Sequence, residues 1–157
     1  MTEDGEWDLE FYQDESGREP CREWIEGLSR EKRLAVETVL EHVLAMRGLS
    51  VVETEFGKAL GQGLYELRLR WSAEEVANKV GVVLAQPVTE TESILLRVFF
   101  CTSGSKIIML LSGYDKARDP NDRRQAREIA AARKLLTAHR EAERRARARR
   151  PRPTGRR

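Results

Sequence analysis

Two nearly continuous apolar runs, separated by only a short turn, constrain the fold of this chain more than any other feature. They are LRVFFC at 96–101 and IIMLL at 107–111, with TSGS following the first run. Runs of this kind are typical of strands that are covered on both faces of a sheet. The pair therefore predicts a hairpin at the centre of a sheet, with other elements packed on either side.

The first third of the chain predicts one edge strand and two helices. EWDLEFY at 6–12 alternates apolar and polar residues, as a half-buried strand near a sheet edge does. Pro20 suits the first turn of a short helix. Ser29 can cap a longer helix, and Gly48 can end it.

A second strand and a small helix follow. YELRLR at 65–70 alternates again, with Glu66, Arg68 and Arg70 on the face opposite Tyr65, Leu67 and Leu69. SAEE at 72–75 matches the serine-to-glutamate capping box, so residues 73–80 are predicted to be helical. These residues fall in an insertion at about 71–94 that separates the second strand from the central hairpin.

The last helix is expected to begin at Asp119 and Pro120, and its apolar stripe fades after about His139. The order of elements predicts an α+β fold. In this fold a small antiparallel or mixed sheet packs against N-terminal helices and a C-terminal helix.

Charge divides the chain into two parts. Residues 140–157 carry nine arginines against two glutamates, a net charge of +7, whereas residues 1–60 carry fifteen acidic and seven basic side chains. We therefore divide the chain into a domain at 1–139 and a basic, arginine-rich tail at 140–157. The tail has two open interpretations, a frayed helix end in solvent or an arm that contacts RNA nonspecifically.

Several classes of protein are disfavoured. The longest apolar runs are far shorter than the roughly 18 residues that span a bilayer, so no membrane association is expected. The acidic start does not resemble a secretory signal. Cys21 and Cys101 stand apart from any paired spacing, and we interpret them as buried, reduced thiols of a cytoplasmic protein.

Standard catalytic signatures are also absent. The chain lacks a P-loop and the GxGxxG, HExxH and GxSxG motifs. His42 and His139 are its only histidines, and neither belongs to a spacing typical of metal ligands. We therefore expect neither a metal nor another cofactor.

Cations and one tyrosine on or near the strands remain as candidates for function. Arg97 is the most informative, because a guanidinium keeps its proton and a central strand offers it no water. Two interpretations are open: a structural ion pair with Glu66 or another carboxylate, or a role in binding substrate. The full set of candidates is Arg68, Arg70, Arg97, Lys106, Tyr114, Lys116 and Arg118.

Four segments together resemble a known family. They are GLYELRLR (63–70), LRVFFC (96–101), KIIMLLSGYDKARDP (106–120) and REIAAARKLL (127–136). These segments resemble the RelE/HigB toxins of bacterial type II toxin–antitoxin modules, in particular the phage-derived HigB-like branch, over about residues 7–139. The resemblance implies a RelE-like microbial ribonuclease fold. It also implies a cytoplasmic, ribosome-dependent mRNA endoribonuclease (an mRNA interferase) that a helix-turn-helix antitoxin inhibits.

The resemblance also implies roles for individual residues. Arg68 and Arg97 would flank the scissile phosphate of the mRNA. Tyr114 would stack on a displaced base or assist proton transfer, and Lys116 would stabilise developing charge or the leaving oxygen. Attack by the 2′-OH of the RNA itself needs neither a protein nucleophile nor a metal. The remaining RNA contacts would come from Arg70, Lys106 and Arg118.

One departure from the family keeps an alternative open. Residues 116–118 hold one lysine and one arginine where many relatives have paired lysines, so one cation is displaced. The alternative is a catalytically inactive RelE-fold module that binds RNA or protein. Convergence of Arg68, Arg97 and Tyr114 on one concave surface would favour the enzyme, whereas Arg97 held by Glu66 with Tyr114 buried would favour the module.

Overall fold

A computed structural model describes residues 6–85, 94–118 and 120–149 of the chain. Its strands are β1 (Asp8–Phe11), β2 (Gly57–Gly61), β3 (Leu64–Leu69), β4 (Leu96–Thr102) and β5 (Ile107–Asp115). They form one five-stranded sheet in the order β1-β5-β4-β3-β2.

Helices cover both faces of this sheet, which makes the fold α+β as expected. They are α1 (Pro20–Glu26), α2 (Arg30–Val39), α3 (Ala45–Arg47), α4 (Ala73–Val80) and α5 (Asp122–Arg149). A π-helical turn (Leu40–Leu44) joins α2 to α3, and a 3-10 segment (Gly48–Glu53) follows. None of the helices in the described part of the chain is both long and apolar enough to cross a membrane.

The central hairpin is confirmed. Strands β4 and β5 pair in antiparallel fashion, and β4 is the middle strand of the sheet. The predicted edge strand is also confirmed, but β1 pairs with β5 in parallel, from Asp8 opposite Ile107 to Phe11 opposite Leu110. The sheet is therefore mixed rather than purely antiparallel.

The small helix in the insertion is confirmed residue for residue. The Ser72 hydroxyl accepts a hydrogen bond from the Glu75 amide at 3.2 Å, and the Glu75 carboxylate accepts one from the Ser72 amide at 3.0 Å. This reciprocal capping satisfies two amides that the helix itself leaves without partners. Residues 86–93 of the predicted insertion lie outside the described residues.

Two features differ from the prediction. Strand β2 was not predicted, because its five residues include a glycine at each end and show no clear alternation. It pairs with β3 as a hairpin. The last helix begins at Asp122 and not at Pro120, and the Asn121 side chain accepts a hydrogen bond from the Arg123 amide at 2.7 Å. Asp119, the predicted cap, lies outside the described residues.

The sheet separates two apolar cores. Helices α1, α2 and α4 pack on one face, where the buried side chains include Ile25, Val36, Val39, Leu67, Val76 and Val98. Helix α5 packs on the other, where the buried side chains include Leu64, Phe99, Leu111, Tyr114, Ala132 and Leu136. Burial on both faces explains why β4 and β5 read as nearly continuous apolar runs.

Both cysteines are buried free thiols, as predicted. Burial raises the pKa of Cys21 to about 12 and that of Cys101 to about 11. A thiol reacts through its thiolate form, so neither side chain is suited to nucleophilic chemistry near neutral pH.

Gly113 of β5 lies against the indole ring of Trp24, and a Cβ at this position would overlap that ring. We expect Gly113→Ala to lower the free energy of unfolding by about 1–3 kcal/mol, because the core must shift to make room. Urea denaturation followed by circular dichroism measures this loss. Gly27→Ala is the matched control, since Gly27 has φ −84° and a Cβ there would meet its nearest atoms at 3.6 Å. Equal losses in the two variants would contradict the packing argument.

Candidate active site

Three of the predicted side chains form one row across the middle of the sheet. Arg68 of β3 lies directly opposite Arg97 of β4, which in turn lies directly opposite Tyr114 of β5. Alternation along β3 turns Leu67 and Leu69 toward the α1 and α2 face. The row is therefore on the face that α5 covers, together with Glu66 two residues before Arg68.

Glu66 is the carboxylate between the two arginines. Its Oε1 lies 3.6 Å from Nε of Arg68 and 3.9 Å from Nε of Arg97, so both contacts are ion pairs without hydrogen bonds. Glu66 is 1% exposed and Arg97 is 2% exposed. Arg97 also donates a hydrogen bond from Nη1 to the Leu96 carbonyl at 3.1 Å.

Buried polar atoms without hydrogen-bond partners are concentrated at this site. Such atoms are uncommon in folded proteins, and each costs roughly 1–3 kcal/mol when it loses its water. Their concentration here marks this part of the sheet as the place where a polar ligand or water would find hydrogen-bonding groups without protein partners. Within the described residues the atoms concerned are Glu66 Oε2, Arg68 Nε, Arg97 Nε, Ser112 Oγ and Tyr114 Oη.

The local charge is positive. Burial lowers the pKa of Arg97, Glu66 opposes this effect, and Arg68 and Arg70 lower the pKa further because they repel the same charge. Burial and the Glu66 carboxylate raise the pKa of Tyr114. Two guanidinium groups thus flank one carboxylate, with Arg70 acting on Arg97 from the end of β3, beside a phenol that keeps its proton at neutral pH.

Helix α5 covers the site. The Arg124 guanidinium lies 5.6 Å from the centre of the Tyr114 ring, and Arg124 is paired with Glu128 at 2.6 Å. As a result Tyr114 is only 2% exposed. The Arg68 side chain is 26% exposed, so it is the member of the row that solvent reaches.

Further along, polar contacts attach α5 to the ends of the strands. Arg133 donates hydrogen bonds to the Leu60 and Gly61 carbonyls at 2.8 and 3.1 Å. Arg140 donates to the Thr102 carbonyl at 2.9 Å. The helix is thus attached at its middle, beyond the turns that cover the site.

The other four predicted site residues lie outside the row of Arg68, Arg97 and Tyr114. Lys116 and Arg118 follow the end of β5 just beyond Tyr114, and the Arg118 side chain is 83% exposed. Arg70 is exposed at the end of β3 and acts electrostatically on Arg97. Lys106 lies at the other end of β5, about 26 Å from Tyr114 for eight residues of strand, so the structure does not bring it to the row.

Three further residues belong to the site. Glu66 was considered only as a counterion, although its alternation with Arg68 already placed both on one face. Ser112 and Arg124 carried no comparable signal, because their positions depend on the β4–β5 register and on how α5 lies across the sheet.

Known proteins were compared with the chain: no family model matches it, and no curated protein matches it. The resemblance to RelE/HigB toxins therefore stays a prediction from the motifs. Across residues 6–85, 94–118 and 120–149, no group of three or more histidine, cysteine, aspartate or glutamate side chains is placed to hold a metal ion.

Removing the buried hydroxyl of Tyr114 tests whether this site stores unfavourable energy. We expect Tyr114→Phe to raise the free energy of unfolding by about 1 kcal/mol, because the hydroxyl is buried without a partner. Urea denaturation checks the change. Tyr65→Phe, at a partly exposed tyrosine, is the control and should shift stability by less than about 0.5 kcal/mol. A loss of stability in Tyr114→Phe would show that the hydroxyl has a partner.

His139 is the last buried residue of α5 and the titratable group that we expect to make its attachment sensitive to pH. It packs edge-on against Tyr12, and its Nε2 lies 3.4 Å from Oε2 of Glu143 without a hydrogen bond. Burial lowers the pKa of His139 and Arg140 adds to this, although Glu143 and Glu10 oppose it.

Because the pKa of His139 is lowered in the folded state, its full contribution to stability is present above the unfolded-state pKa of 6.5. This contribution is lost as the pH falls below that value, because the unfolded chain binds the proton more readily. We therefore expect His139→Gln to flatten the decline in stability between pH 7 and pH 5, measured by thermal unfolding. His42→Gln, at an exposed histidine, should retain the decline of the wild-type protein. Parallel pH profiles for wild type and His139→Gln would refute this assignment.

Proposed function

We propose that this chain is a RelE/HigB-type toxin, a metal-independent endoribonuclease that cleaves mRNA on the ribosome. The observation that carries the proposal is the row of Arg68, Arg97 and Tyr114 on one face of the sheet, with Glu66 beside it. Two guanidinium groups on adjacent strands suit the oxygens of a single phosphate. The Nε atoms of both arginines make no hydrogen bond, which supports the same interpretation.

The groups match the requirements of cleavage by the RNA's own 2′-OH. The 2′-oxygen attacks the adjacent phosphorus, the bond from phosphorus to the 5′-oxygen breaks, and a 2′,3′-cyclic phosphate forms. Glu66 is the acceptor proposed for the 2′ proton, and Tyr114 is the donor for the 5′-oxygen, which its raised pKa allows. Arg68 and Arg97 would stabilise the extra negative charge on the phosphorane.

Access to the site requires α5 to move. In the described conformation RNA could reach Arg68, but Arg97 and Tyr114 lie beneath the helix. The covering turns come before the attachments of Arg133 and Arg140 to the strand ends. In this proposal the first turns of α5 swing away when mRNA enters.

The remaining parts of the proposal come from the resemblance. A helix-turn-helix antitoxin would inhibit the toxin, and both would work in the cytoplasm. Two free, buried thiols are consistent with a reducing compartment. Lys116 would stabilise the leaving oxygen, and Arg118 would contact RNA beside it.

Burial favours a second candidate, a catalytically inactive RelE-fold module that binds RNA or protein. Arg97 lies 3.9 Å from Glu66, and Tyr114 is covered, which is the arrangement expected of a structural ion pair. In this alternative α5 stays in place, and the partner binds the outer surface.

Mapping of new mRNA 5′ ends after brief induction separates the two candidates. We expect the wild-type chain to produce cuts within translated regions. Arg68→Ala and Tyr114→Phe should each reduce their frequency by about 10²- to 10³-fold, because each removes one preorganised contact. Arg68 is a better target than Arg97, because its side chain is 26% exposed, whereas Arg97 is buried and its truncation would also open a cavity in the core.

Arg127→Ala is the matched control, because this arginine is exposed on α5 outside the row. It should cut as the wild-type chain does. If the soluble wild-type chain, free of inhibitor, gives no new ends, the binding module replaces the enzyme.

A further inference from the structure

The last two turns of α5 extend beyond the sheet as a bare basic helix. His139 is the last buried residue of α5, and every residue from Arg144 to Arg149 is exposed. Four of these six positions are arginine, and no acidic residue follows Glu143 in the chain. We call this segment, Arg144–Arg149, the arginine arm.

The arm differs from the rest of the helix in how its arginines are used. Arg124 pairs with Glu128, Arg133 donates to two strand carbonyls, and Arg140 donates to Thr102. The four arginines of the arm have no such partner within the described residues. Their charges are therefore available to a ligand.

The spacing of the four arginines divides them between two sides of the helix. Each residue turns the helix by about 100°, so Arg144 lies near Arg147, and Arg145 lies near Arg149. The two pairs point in directions roughly 150° apart. Neighbours of like charge at this spacing repel each other, so an opposite charge on each side would stabilise the segment.

We propose that the arginine arm docks between two phosphate rows of folded, base-paired RNA. Base-paired RNA offers anionic walls on both sides of a groove, whereas a single strand or a flat surface offers one. A membrane surface fits poorly, because the arm supplies only alanines to an apolar face. The choice of RNA over DNA rests on the proposed function.

Salt-dependent binding tests the arm. The full chain carrying Tyr114→Phe, which limits cleavage, is titrated against a fluorescent RNA hairpin at 50–200 mM KCl, and binding is followed by anisotropy. The plot of log K against log salt has a negative slope, and each lost phosphate contact makes that slope less steep by about 0.7–0.9. We expect Arg144→Gln/Arg147→Gln and Arg145→Gln/Arg149→Gln each to make this slope less steep by about 1.4–1.8, with at least about tenfold weaker binding.

The matched control is Arg123→Gln/Arg127→Gln, which removes the same charge from two exposed positions on the same helix. Its slope should stay within about 0.5 of the parent. The docking proposal is refuted if this control makes the slope less steep by as much as the arm variants do. It is also refuted if neither arm variant changes the slope.

Two further ligands sharpen the outcome. A single-stranded RNA of equal length that binds as tightly, with the same dependence on the arm, would overturn docking between two rows. Arm-dependent binding to phosphatidylserine vesicles without binding to the hairpin would overturn the RNA assignment. The measurement needs no cleavage, so a failure of the nuclease proposal and a failure of the arm are distinguishable.

Discussion

A carboxylate buried between two guanidinium groups is the interaction on which the site depends. Taking charges out of water is costly, and Glu66 offsets part of that cost for Arg68 and Arg97 through ion pairs of 3.6 and 3.9 Å. One carboxylate does not saturate two arginines. The remaining positive charge is held on a rigid sheet, where the strand register and not a flexible loop sets the distance between the cations.

Local patterns in the sequence predicted most of the helices and strands, but not how distant elements pair or pack on one another. The apolar runs of β4 and β5 and the capping box at Ser72 act over a few residues, and both were confirmed. The parallel pairing of β1 depends on residues about a hundred positions away, and nothing in residues 6–12 encodes its direction.

The candidate site was predictable to the same extent. Alternation placed Arg68 on the face opposite Leu67, and the central position of Arg97 followed from its apolar neighbours. The burial of Tyr114 could not be predicted, because it depends on the angle at which α5 crosses the sheet. The distance of Lys106 from the row could have been predicted, because Lys106 immediately precedes β5 and Tyr114 lies near its end.

Helix α5 connects two regions that differ in charge and in exposure. Its first turns cover a site that is short of negative charge, and its last turns carry positive charge away from the sheet. The hydrogen bonds of Arg133 and Arg140 lie between these regions. The covering turns and the arginine arm are therefore parts of one continuous helix, on opposite sides of its attachment to the sheet.

The parallel pairing of β1 also affects how the chain acquires its structure during synthesis. Residues 8–11 are synthesised about a hundred residues before their partners, residues 107–110. Closing so long a loop is entropically costly, whereas the β4–β5 hairpin closes over a few residues. Strand β1 therefore cannot join the sheet until its partner, β5 of the central hairpin, has left the ribosome.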